Sequence, residues 1–145
     1  MQIIKASLKH LNEVAVLFNS YREFYGQPTD LNGAKEFLEK RLANEDSVIF
    51  LVIEQENALG FVQLYPTFSS VKMKNMWILN DLYVTKSARG KGIGQILVEK
   101  AIEFAKETGA TGLLLETGKE NSNAQKLYEK TGFHQESNYF YYYSI

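Results

Sequence analysis

The chain has 145 residues, 45% of them hydrophobic, and a formal net charge of −1. That is the length of one domain with material for one core, and too little positive charge for the basic face that nonspecific nucleic-acid binding needs. Cysteine is absent, which excludes disulfides, thiol nucleophiles and cysteine-held metal, and His10 and His134 stand too far apart in sequence to suggest a histidine metal site.

Residues 2–5 predict a short first strand. Ser7 is a candidate N-cap for a helix running to about Tyr25, with Leu11, Val14, Ala15, Leu17 and Phe18 on its apolar face. Gly26-Gln27-Pro28 stops it, and Asp30 can cap a second helix carrying Ala34, Phe37, Leu38, Arg41 and Leu42 along one side. Residues 48–54 and 58–65 read as an antiparallel hairpin around Gln55-Glu56-Asn57, with Gly60 a candidate bulge and Pro66 the end of the second strand. The longest apolar run, about six residues at 48–53, is far short of the roughly 20 that cross a bilayer. The N-terminus carries no signal-peptide core. A cytoplasmic protein without a membrane partner is expected.

Residues 68–74 read as a loop and 76–84 as a long fourth strand. Simple alternation puts Trp77, Leu79 and Asp81 on one face and Ile78, Leu82 and Val84 on the other, unless a bulge shifts the register. Arg89-Gly90-Lys91-Gly92-Ile93-Gly94 then forms a glycine-rich basic turn. Leu97, Ala101, Phe104 and Ala105 recur at helical spacing after it, to a stop at Gly109. A strand that feeds a glycine turn into a helix N-terminus suits phosphate. The first helical N–H groups lack internal partners and the dipole there favours an anion. Lys86, Arg89 and Lys91 add charge at the same mouth. No Gly-Lys-Ser/Thr closes a Walker loop, and Gln95 stands where a dinucleotide fingerprint needs Gly or Ala.

Leu113-Leu114-Leu115 reads as a buried fifth strand, parallel to the fourth across a right-handed crossover. Asn121 or Ser122 caps a helix with Ala124, Leu127 and Tyr128 on one face, ended by Gly132. Phe133 begins a further strand. Residues 139–144, with five consecutive aromatics, read as a last strand packed into core and sheet.

Arg89-x-x-Gly92-x-Gly94 resembles the acetyl-CoA pyrophosphate loop of the GNAT N-acetyltransferases. About 30 residues on, Asn123-Ala124-Gln125-Lys126-Leu127-Tyr128-Glu129-Lys130-Thr131-Gly132-Phe133 resembles that family's second motif. Two motifs in the right order, one helix and one strand apart, are more specific than either alone. The resemblance implies a single acetyl-CoA-binding domain over 1–145. Its fold would be α/β (α+β), a mixed, mostly antiparallel sheet of about six to seven strands with a parallel fourth–fifth pair and about four helices on both faces.

The resemblance also assigns roles. Backbone groups of Leu82, Tyr83 and Val84 would pair with pantetheine like an extra strand. Arg89, Gly90, Lys91, Gly92, Ile93 and Gly94 would hold the pyrophosphate, and Asn123 would reach the cofactor through its amide. Tyr128 would be the general acid to the leaving thiolate, and a backbone N–H of the fourth strand the oxyanion donor. The base is open among Asp81, Glu116 and Glu23, or water, or no dedicated group. Without cysteine there is no acyl-enzyme, so the expected reaction is direct attack by a primary amine of a small molecule or protein in a ternary complex. No metal takes part. The aromatic and acidic segment 21–25 would suit a cationic acceptor. A non-catalytic CoA-binding module is the alternative, and monomer or homodimer are both open.

Overall fold

The computed structural model describes residues 1–145. Strand β1 (Gln2–Lys5) leads into Ser7, which opens a capping box: its N–H donates to His10 Nδ1 at 3.0 Å. One 3-10 turn follows, then helix α1 (Leu11–Phe24), which buries Val14, Ala15, Leu17 and Phe18. Asp30 Oδ1 accepts the Gly33 N–H at 2.9 Å and starts α2 (Leu31–Asn44), which buries Ala34 and Leu38.

β2 (Val48–Glu54) has five consecutive buried residues, so both of its faces are covered. Val48, Phe50 and Val52 join the core beneath α3 (Ile93–Glu107); Ile49 and Leu51 join the one beneath α1 and α2. β3 (Asn57–Ser69) pairs antiparallel with β2, with one extra residue opposite Val52–Ile53, next to Gly60. A side chain at Gly60 would come within 2.8 Å of the Tyr83 carbonyl, so only glycine lets β4 approach there.

β4 (Lys74–Val84) pairs with β3 along its length, and both run further than the sequence predicts. Pro66 lies inside β3, opposite Trp77, instead of ending it. β2 has stopped at Val48 opposite Leu64, so Pro66 sits where one side of β3 is free and its missing N–H costs no bond on that side. A second bulge falls at Asn80, between the Leu79–Leu64 and Asp81–Gln63 pairs.

β5 (Leu113–Leu114) completes a five-stranded sheet in the order β1-β2-β3-β4-β5, parallel to β4 and antiparallel elsewhere. Asn121 Oδ1 caps α4 (Ser122–Lys130), which packs on α3. The four helices therefore cover both faces, and none is long and apolar enough to cross a membrane.

Two expectations need correction. β5 is not a buried strand: Leu114 is exposed, because only β4 borders it. Nor do Phe133 and residues 139–144 add strands. Phe133 donates its N–H to the Tyr128 carbonyl and packs edge-on to that ring, and residues 134–145 then continue without a ladder partner in their own chain. High strand propensity alone does not make a strand, because its backbone needs an edge to pair with.

Candidate active site

β4 and β5 are paired only at Trp77–Leu113 and Ile78–Leu114, and beyond Ile78 β4 has no ladder partner on that side, which leaves a gap. β4 stays bonded to β3 beyond that point, and the Thr85 N–H donates to the Leu59 carbonyl at 2.8 Å. Antiparallel pairing alternates, so the backbone groups of Tyr83 turn toward β3 while those of Leu82 and Val84 turn into the gap. Of the three residues expected to offer backbone bonds, Leu82 and Val84 have that orientation. Tyr83 contributes its ring instead.

The gap ends at the glycine turn. Ala88 and Ile93 are buried and anchor its two sides. Gly90 and Gly92 have φ of +81° and +79°, and a side chain at either would point into open space. Gly92 is the N-cap of α3 and has no side chain to satisfy the first-turn N–H groups, so they remain available to a ligand. These features fit a pyrophosphate. Gly94 has a different job: a β-carbon there would lie 3.3 Å from Leu127 Cδ2, so its absence lets α3 and α4 close on each other. Lys86 and Lys91 are exposed at the mouth. Arg89 folds back: its Nε donates to the Val84 carbonyl at 3.0 Å, and its guanidinium lies over the rings of Tyr83 and Phe24.

Beside the gap, on the α1 face, lies an acid among tyrosines. The Asn80 bulge turns Asp81 inward, where it is buried. Gln63 Nε2 donates to Asp81 Oδ2 at 2.6 Å and Asn80 Nδ2 to Oδ1 at 3.0 Å. The Tyr21 hydroxyl, 3.4 Å from the Asn80 carbonyl, is also beside the Asp81 carboxyl. Burial raises the Asp81 pKa above the ordinary carboxyl value, against the pull of those donors. Burial and then Asp81 push the Tyr65 phenol up to about 12 and raise that of Tyr21 further. Tyr128 is pushed up to about 12 by burial and by neighbouring Tyr25. Tyr21, Tyr25 and Tyr128 thus converge, with Tyr21 and Tyr25 ring centroids 5.0 Å apart. Asn123 is exposed on the first turn of the helix that carries Tyr128.

Residues 14–133 match the acetyltransferase (GNAT) family. The chain belongs to that family. It is 46% identical over 142 residues to the uncharacterized N-acetyltransferase YhfO of Bacillus subtilis (strain 168), covering 98% of this chain and 95% of that one. It is 31% identical to a probable acetyltransferase of Haemophilus influenzae, over 92% and 90% of the two chains. A crystal structure of a probable acetyltransferase superposes with a TM-score of 0.93 at 43% identity, over 100% and 99% of the two chains.

In this GNAT acetyltransferase the free stretch of β4 leads through Thr85 into the glycine turn, and Tyr128 lies on α4, which packs on α3. Of the carboxylates singled out in the sequence, only Asp81 is buried; Glu23 and Glu116 are exposed, and Glu23 accepts from Asn19 Nδ2 at 3.1 Å. Sequence reading missed Gln63 and Tyr65. Gln63 had a signal: it is the one polar residue in Phe61-Val62-Gln63-Leu64, and a polar side chain inside such a run must be buried with a partner.

Asp81 gives a pH-dependent prediction. Its folded carboxyl holds its proton to higher pH than the unfolded one, whose ordinary value is 3.8. The stability it contributes is therefore complete below the unfolded pKa and is lost as pH rises through the folded pKa. Asp81→Asn does not titrate. From about pH 4 upward the wild type is expected to lose stability relative to the variant, read from urea midpoints at a series of pH values. A constant difference across that range contradicts the assignment.

Proposed function

We propose that this protein moves the acetyl group of acetyl-CoA to a primary amine by direct attack in a ternary complex. The observation that carries the reading is the free edge of β4, which runs straight into an uncapped helix N-terminus. Residues 1–145 act as one acetyl-CoA-binding unit, in the cytoplasm. Acetyl-CoA supplies an activated thioester. Leu82 and Val84 align its pantetheine arm as a strand would be aligned, and the N–H groups of the turn at 89–94 hold the pyrophosphate with Lys91 and a repositioned Arg89. Asn123 reaches the cofactor from the start of α4.

A β4 backbone N–H facing the gap stabilises the charge that develops on the acetyl oxygen. Tyr128 is a phenol at neutral pH, as any tyrosine is, and burial raises its pKa further, so it can donate to the departing sulfur. A thiol's ordinary pKa of ~8.5 lies below that of this phenol, so the hydrogen bond stabilises the thiolate before any proton moves. Asp81 is well placed to receive the acceptor's positive charge or its proton. Its cluster is rich in acceptors: Gln63 Oε1 is buried with no hydrogen-bond partner. Tyr21 and Tyr25 would flank a cationic amine.

Calorimetric titration with acetyl-CoA and with free CoA tests the reading. Saturable binding at one site per chain is expected for both, followed by amine-dependent CoA release. No heat at near-millimolar ligand would overturn it.

A further inference from the structure

We propose that Gln63 is the positioning residue of Asp81: its side-chain amide donates to the carboxylate and, turned end for end about its last bond, accepts the O–H of the carboxylic acid. The inference rests on the reading of Asp81 as the group that takes the acceptor's proton. Gln63 stands opposite Asp81 across the β3–β4 pair and is 0% exposed. Its Nε2 lies 2.6 Å from Asp81 Oδ2, while its Oε1, also buried, has no partner. A buried acceptor left unpaired is costly, and an aliphatic side chain between Val62 and Leu64 would avoid that cost.

The contact suits both charge states of the acid. At 2.6 Å it is shorter than the ~2.7–3.2 Å of an N–H···O bond and within the ~2.5–3.0 Å of an O–H···O bond. A glutamine amide has a donor end and an acceptor end of nearly the same shape, so a half turn exchanges one for the other. A lysine or arginine in its place would hold Asp81 ionised. Asp81 is in none of the chain's ion pairs. The groups around it are Tyr21 from α1, with Tyr25 and Tyr128 beyond it, Tyr65 from β3, and Asn80. Arg41, beside Tyr65, is paired with Asp46 at 3.1 Å. Neutral donors thus stabilise the carboxylate without locking it.

In the reaction the acceptor's ammonium gives one proton to Asp81 Oδ2 and keeps the electron pair that attacks the thioester. Ammonium and carboxylate become amine and carboxylic acid, so charge is conserved. Gln63 then turns, and its Oε1 receives the new O–H. The second proton lost by the nitrogen balances the one that the departing thiolate takes up. When Asp81 passes its proton to water after turnover, the amide turns back.

Carbon and nitrogen NMR on the full chain reads the pair. The Asp81 carboxyl carbon and the Gln63 side-chain amide should titrate with one midpoint, above the ordinary 3.8, and Gln63→Met should move the carboxyl midpoint to higher pH. The acid limb of kcat/KM for amine-dependent CoA release should move with it, giving about a 10-fold loss near neutral pH that recovers to within about twofold at higher pH. Asp81→Asn should abolish the limb, and adding Gln63→Met to it should lose no further activity, because Gln63 acts only through Asp81. A Gln63 amide that ignores the Asp81 titration in the wild type overturns the proposal, whether or not the variant folds. So does a limb that stays in place in Gln63→Met, or additive losses in the double variant. A wild type that releases no CoA with any amine would remove the acetyl-transfer reading instead, and the NMR titration would still decide the pair.

Discussion

Replacing Tyr128 by phenylalanine is expected to lower kcat by about 10²–10³-fold while leaving acetyl-CoA affinity within about twofold, since general acid catalysis contributes on that scale. The substitution removes one oxygen. The ring keeps its edge-on contact with Phe133, 5.8 Å between centroids, and its place on the core beneath α4, so folding is preserved. Burial holds the hydroxyl protonated to about 12, so wild-type rates should show no tyrosine titration across the neutral range, and the defect should be the same at pH values on either side of 7. A protein that only senses CoA would be indifferent to the change. An unchanged kcat in a stopped assay of CoA release would remove Tyr128 from the chemistry.

The glycine turn gives the second large effect, this time on binding. Gly92→Glu should abolish acetyl-CoA binding by calorimetry, a loss of at least about 100-fold or roughly 2.7 kcal/mol. Two causes act together. The φ of +79° strains any side chain, and a carboxylate at the start of α3 competes for the N–H groups proposed to hold the pyrophosphate. No heavy atom lies within 4 Å of the added β-carbon, so the variant should fold. Gly92→Ala separates the two contributions. It keeps the strain without the charge and should retain weaker, measurable binding. Full-strength binding by Gly92→Glu would mean that the turn holds no phosphate.

Much of this was legible in the sequence because local chemistry decided it. Asp30 and Asn121 cap their helices through a bond to a residue three positions on, and the positive-φ glycines at 90, 92, 109 and 132 mark turns that no other residue makes as cheaply. What the sequence hid depends on distant partners. Pro66 is tolerated within β3 because β2 ends elsewhere. Arg89 looks like a phosphate ligand, yet a carbonyl five residues back and two rings draw its side chain over β4. The aromatic tail reads as a strand on propensity, but pairing is a property of two segments, and its own chain does not provide the second. Asp81 is the most instructive case. Its neighbourhood follows from the position of the bulge, which alternation alone does not locate.

That bulge works as a reading frame for β4. Before Asn80, Trp77 and Leu79 point to the α3 core; after it, Leu82 and Val84 point the same way, although strict alternation would send them to the opposite face. One inserted residue thereby delivers Asp81 and Tyr83 to the side where α1 brings Tyr21. Removing Asn80 would bring the Leu79–Leu64 and Asp81–Gln63 pairs next to each other in plain alternation. The acid would still stand opposite Gln63 on the α1 side, and Leu82 and Val84 would still point to the α3 core. Among single-residue deletions in this strand, that one leaves the contents of the site and of the core on their own faces.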